Sequence, residues 1–217
     1  MINIFDIYLY QPLLSFLLFL YDITKNFGLA VIILTVLVKL ILNPLNKRAL
    51  ESQKKMAEIQ PRIKEIQKKY KDKEQQGREM LKLYQETKFN PFSGIFLLFL
   101  QIPVLFALFK IFQSTLPETV NPMFLGVNLF QPNIYLAIIT AIAQYYQAKT
   151  ATPPVKKQEG EKDSTEQISE MIQKQMVFFI PVITFFVLFK LPSALGLYWL
   201  ITTVLNTIQQ RQIFKDK

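Results

Sequence analysis

The chain has 217 residues, 51% of them hydrophobic, with a mean hydropathy of +0.22 and a net charge of +9. Apolar and basic at once, it reads as a membrane protein whose charge is confined to its loops. It has no cysteine, no histidine and no GxSxG or P-loop pattern; disulfides, thiolate and imidazole catalysis and the usual zinc sites are excluded, and no cofactor, metal or enzyme activity is expected.

Residues 1–25 open with an apolar core, Leu13–Leu20, that is too short for a crossing of about 17–25 residues. No basic region precedes it and no A-x-A-like cleavage site follows, so it does not read as a signal peptide. Tyr8, Tyr10 and Tyr21 at its margins suit a helix lying at the extracytoplasmic interface, with a cleaved or spanning segment as the alternative.

The first crossing, 26–45, carries one cation, Lys39, with no acidic residue within a turn or two. A lysine at the centre of a spanning helix costs about 2.5–3.5 kcal/mol, and the Leu, Ile and Val residues of Leu29–Leu42 offset it at about 0.3–0.6 kcal/mol each. The segment therefore inserts, but the lysine needs a reason to be there. Thr35, Lys39 and Asn43 lie at i, i+4 and i+8, one polar stripe that should face a wet or protein-lined space. The alternative is snorkelling: Lys39 lies about 9 Å along the helix from the end of the apolar run, nearly within reach of the headgroups.

From 46 to 91 the composition changes. Thirteen Lys/Arg (Lys47 through Lys88) stand against seven Asp/Glu, and Ile59, Ile63, Ile66 and Tyr70 recur at helical spacing. This predicts a cytoplasmic helical hairpin kinked at Pro61, either merely solvated or a basic surface for lipid headgroups, nascent chain or ribosome. The second crossing, 92–113, holds Gln101 and Pro103; Gln101 either satisfies a carbonyl freed by the proline or lines a polar cavity. The loop 114–133 has no Lys or Arg. The third crossing, 134–149, sets Thr140 and Gln144 on one face. The loop 150–175 contains Pro153-Pro154 and mixed charges. Crossings 176–191 and 194–210 are joined at Leu191-Pro192-Ser193, and the last carries Trp199, Thr202 and Asn206 before the tail 211–217. The charge distribution sets five crossings with the N-terminus out and the C-terminus in.

The lysine-bearing crossing ending in NPL, the hairpin phrase IQPRIKEIQKKY (Ile59–Tyr70), Asn90-Pro91 entering FSGIFLLFLQIPVLFALF, and LPSALGLYW (Leu191–Trp199) leading to Gln209-Gln210 together resemble the YidC/Oxa/Alb membrane protein insertases. The four blocks stand in the family's order and cover the chain from about Leu13 onward. The resemblance implies an all-α polytopic membrane protein: five transmembrane helices around a hydrophilic groove open to cytoplasm and lipid but closed outside. It also implies a chaperone-like insertase of the bacterial plasma membrane. Its partners would be nascent membrane proteins with short, often acidic translocated segments, membrane lipids, and the Sec translocon and ribosome, with no specific nucleic acid. By position Lys39 matches the groove cation, Thr35 the polar residue a turn before it, Gln144 a groove position on the third crossing, and Trp199 a substrate-contact aromatic. The full candidate set for the groove is Thr35, Lys39, Asn43, Gln101, Gln144, Trp199, Thr202 and Asn206. Most bacterial members carry arginine where this chain has Lys39; lysine keeps the charge and loses the planar five-donor fork. No long basic tail is present, so a strong tail-based ribosome tether is not expected. Two other classes fit parts of the pattern: an anion channel or small transporter selecting through Lys39, and a scaffold docking partners through the hairpin.

Overall fold

The computed structural model describes residues 4–90, 92–114, 117–151 and 164–215. Within them are seven α-helices: α1 (Gln11–Thr24), α2 (Phe27–Lys69), α3 (Lys73–Glu86), α4 (Phe92–Gln113), α5 (Ile134–Ala151), α6 (Ser164–Leu188) and α7 (Ser193–Lys215). A two-stranded antiparallel hairpin, β1 (Met123–Phe124) and β2 (Val127–Asn128), lies between α4 and α5. Short polar side chains start the helices by accepting orphan backbone donors. Asn26 Oδ1 takes the Leu29 N–H at 3.0 Å, Asn133 Oδ1 the Leu136 N–H at 3.0 Å, and the Asp72 carboxylate the N–H groups of Glu74 and Gln75. The Pro153-Pro154 linker lies outside the described residues.

The lysine-bearing helix does not stop at Pro44, where the sequence suggested an end. It runs for 43 residues in all, from Phe27 through Pro44 and Pro61 to Lys69, so the first arm of the basic hairpin is an extension of the same helix. A proline inside a helix costs about 3 kcal/mol, because it removes a donor and crowds the preceding turn. Packing beyond each proline offsets this. Ala49 is buried just past Pro44, and Ile59 and Ile63 flank Pro61 while packing with Leu83 and Phe89 as α3 folds back.

The N-terminal run also differs from the short apolar core read in the sequence. One π-helical turn, Asp6–Tyr10, joins α1, and the resulting Asp6–Thr24 stretch of 19 residues is long and apolar enough, by length and composition, to cross a membrane. Its contacts set it transverse to the other helices. Lys110 Nζ donates to Asp6 Oδ1 at 2.5 Å, and Tyr21 OH donates to Thr119 O and accepts the Asn121 N–H. The Tyr21 ring lies 6.4 Å from Phe27, whose ring lies 6.1 Å from Phe112. Asp6 and Tyr21 are separated by about 22 Å of helix, yet both ends meet chain close to the C-terminal end of α4. The run therefore lies across the end of the bundle.

The loop before α5 seals that same end. Phe124 packs closely against Gly28, Ala194 N–H donates to Leu129 O at 2.9 Å, and Ser193 N–H donates to Gln131 O at 3.0 Å, so the loop satisfies first-turn donors of α7 that would otherwise be orphaned. A Cβ on Gly28 would stand 2.1 Å from Phe124 Cγ. Gly28→Ala is expected to cost about 1–3 kcal/mol by overpacking, read as a lower melting temperature in detergent; an unchanged melt would mean that the loop yields freely.

The main core gathers Phe27, Val31, Leu34, Leu108, Ile111 and Leu195 from α2, α4 and α7. Outside it the chain carries a broad apolar surface that includes Ile41, Phe106, Ile142, Phe178 and Phe186. Exposed apolar area on this scale marks contact with lipid or protein rather than water.

Candidate functional site

α2 and α7 run parallel, and polar side chains meet along their contact. Lys39 Nζ donates to Asn206 Oδ1 at 2.8 Å, and Gln209 Nε2 donates to Asn43 Oδ1 at 2.7 Å. Lys54 Nζ reaches the Ile213 carbonyl at 2.8 Å, carrying the seam to the end of α7. The pairs advance together on both helices because i, i+4 spacing keeps Lys39 and Asn43 on one face of α2, and i, i+3 spacing does the same for Asn206 and Gln209 on α7.

Lys39 is only 9% exposed. Its single hydrogen-bond partner among the described residues is a neutral amide, and no carboxylate there pairs with it. An ammonium has three donors, so two remain for water or a ligand. A cation buried without a counter-charge is costly and is rarely kept idle within a membrane.

The remaining candidates fall at different places. Thr35 is fully buried and donates to Val31 O of its own helix at 2.7 Å. Gln101, on α4, donates to the Tyr198 hydroxyl, which ties α4 to α7. Thr202 lies one turn beyond Tyr198 with its hydroxyl enclosed. Trp199 lines an apolar cleft of about 210 Å³ with Phe106 and Phe109 of α4, Val187 and Leu188 of α6, and Leu195. It shares a face of α7 with Asn206 but sits about 10 Å away along the axis. Gln144 belongs to α5, which packs on α6 and α7 rather than on α2; its Oε1 is enclosed and has no partner among the described residues. The structure thus gathers Lys39, Asn43 and Asn206 into one seam, sets Trp199 in an adjoining apolar cleft, and leaves Gln144 outside the seam.

The sequence model of the family described as 60Kd inner membrane protein matches residues 19–217. The chain belongs to that family. It is 34% identical over 207 residues to the membrane protein insertase YidC of Geobacter sulfurreducens, covering 94% of this chain and 36% of that protein. It is 32% identical over 215 residues to the protein of the same name from Fusobacterium nucleatum subsp. nucleatum, covering 96% and 98%. The chain therefore spans about a third of the Geobacter relative and nearly all of the Fusobacterium one. A solved structure described as "Active YidC insertase crystal structure with the first transmembrane domain resolved" superposes with a TM-score of 0.69 at 29% identity, covering 95% of this chain and 46% of that one. The resemblance to YidC/Oxa/Alb insertases carried by the four sequence blocks agrees with the family match, the relatives and the superposed structure.

On this YidC-like scaffold the seam holds residues that sequence reasoning passed over. Asn46 continues the stripe of Thr35, Lys39 and Asn43 by a further i+3 step, and lies just outside the crossing expected at 26–45. Gln209 and Gln210 entered as the close of a family block and not as groove residues. Tyr198 sits beside Trp199 in the LPSALGLYW block, and nothing local in the sequence marks it as the partner of Gln101.

Proposed function

We propose that this chain is a membrane protein insertase: nascent membrane proteins enter a polar groove along α2 and α7 and leave laterally, past the Trp199 cleft, into the bilayer. Five segments cross in this reading, at 26–45, 92–113, 134–149, 176–191 and 194–210, with the N-terminus out and the C-terminus in. α4, at 22 residues, would be about 33 Å long, enough to span, while the apolar part of α6 begins at Val177. The Asp6–Thr24 run lies in the outer interface, a placement favoured by its transverse setting and flanking tyrosines. The basic hairpin faces the cytoplasm, where anionic headgroups and the ribosome are its natural partners.

One observation carries the proposal: a buried cation, Lys39, on a helix long and apolar enough to cross a membrane, held by an amide and without a counter-ion among the described residues. An acidic segment crossing apolar lipid meets a large desolvation cost. A cation partway across, beside polar side chains, shortens the apolar path and offers transient compensation. No bond is made or broken and no nucleotide is consumed.

The test is reconstitution. Liposomes containing the purified protein are given a small single-span substrate with an acidic N-tail, and insertion is read by protease protection. Protection that rises severalfold over protein-free liposomes is expected. Equal protection with and without the protein would overturn the reading.

A further inference from the structure

Beyond Lys39, in the direction of the basic hairpin, the α2–α7 seam contains polar atoms that the fold leaves unused. Asn46 is 2% exposed, and both its Nδ2 and its Oδ1 are buried without a hydrogen-bond partner among the described residues. Gln210 is likewise 2% exposed, with Oε1 buried and unpartnered. Asn46 shares a face of α2 with Lys39, seven residues or about 10 Å further along; Gln210 lies one turn past Asn206 on α7. The Lys39–Asn206 and Asn43–Gln209 bonds fix those faces toward each other. Asn46 and Gln210 thus occupy neighbouring levels of one seam. Buried amide groups are almost always paired, and an orphan side chain in a folded protein calls for an occupant.

The chemistry of the vacant atoms restricts what that occupant is. Asn46 offers two N–H donors and a carbonyl acceptor, and Gln210 adds a further acceptor. None of these buried atoms has a charged hydrogen-bond partner among the described residues, although Lys39 and Lys54 stand on either side along the seam. A neutral site with donors and acceptors side by side does not select an anion or a cation. It matches the peptide group, which carries one N–H and one C=O and which no apolar segment can shed on entering a membrane.

We propose that Asn46 and Gln210 form a main-chain binding subsite at the cytoplasmic mouth of the seam, hydrogen-bonding the backbone of an entering segment before its charged side chains reach Lys39. This rests on the insertase reading and adds to it a charge-independent step. Lys39 serves acidic side chains; the amide pair serves any extended segment, whatever its charge.

A structural role and a binding role predict opposite stability changes. If the amides held the fold together, Asn46→Leu with Gln210→Leu would lower the melting temperature. As orphans they are a burden to the folded state, and near-isosteric leucines should raise it. The decisive experiment crosses that double variant with the substrate's backbone. Liposomes carrying wild type or N46L/Q210L receive a single-span substrate with an uncharged tail, made either with normal amides or with one tail amide replaced by an ester, which deletes an N–H. With wild type, the ester is expected to slow insertion about threefold or more. With the double variant, both substrates should insert at the same rate, about threefold to tenfold below wild type with the amide, while the variant melts higher. Ester insensitivity in wild type, a variant that inserts like wild type, or a variant that melts lower would each overturn the subsite; the first two point to a water-filled seam. Failure of wild type to insert even the amide substrate would instead overturn the insertase reading itself.

Discussion

Lys39→Glu is expected to reduce insertion of a substrate with an acidic N-tail by a hundredfold or more, whereas Lys39→Arg stays within about threefold of wild type and Lys39→Ala loses about tenfold. The order follows from charge. Two unit charges about 4 Å apart interact by about 4 kcal/mol at an effective dielectric of 20, and each 1.4 kcal/mol is a tenfold change in rate. Removing the cation forfeits part of that attraction, since water screens the remainder, and reversing its sign turns attraction into repulsion. The fold should tolerate the change, because Asn206, whose Oδ1 accepts from Lys39, has an amide nitrogen able to donate to a carboxylate instead. A substrate with an uncharged tail should respond much less to all three substitutions. If the four proteins insert the acidic substrate equally, Lys39 is a snorkelling residue and the electrostatic account fails.

Phe27→Ala is expected to destabilise the protein by about 3–5 kcal/mol, a fall in melting temperature of roughly 10 °C for a chain of this size. Phe27 opens α2 and is fully buried. Its ring meets Phe130 at 5.1 Å and Phe112 at 6.1 Å, both edge to face, and Tyr21 at 6.4 Å. One side chain therefore joins α1, α2, α4 and the loop that covers the N-terminus of α7, and alanine would leave a cavity where all four converge. Phe27→Leu, which keeps most of the volume, should cost less than half as much. A melt unmoved by alanine would show that this end of the bundle does not depend on the aromatic cluster.

What the sequence made legible was local. The stripe of Thr35, Lys39 and Asn43 could be read because helical spacing puts those residues on one face whatever the neighbours do. The helices after Asn90 followed from apolar length and from breaks such as Pro192. The continuity of α2 was not legible, since Pro44 is a strong stop signal unless packing on both sides outweighs it, and that packing comes from residues remote in sequence. Nor was the β1–β2 hairpin: its tip is Leu125-Gly126, both with positive φ, and leucine is a poor signal for such a turn. Within the site, the register of α2 against α7 was the missing information. It pairs Lys39 with Asn206 and Asn43 with Gln209, 167 and 166 residues apart, and no local pattern encodes a match at that distance. The same gap hid Asn46 and Gln210, which become conspicuous only when their buried amides are found without partners.

The central claim is that a substrate travels along the α2–α7 seam and leaves past Trp199. The most direct measurement is site-specific photo-crosslinking during insertion, with a photoreactive phenylalanine derivative replacing either Trp199, half-buried in the apolar cleft, or Val204, exposed on the opposite side of α7. A stalled single-span substrate should crosslink strongly from position 199 and only at background from position 204. Equal crosslinking from both positions, or crosslinking from 204 alone, would contradict passage through the seam.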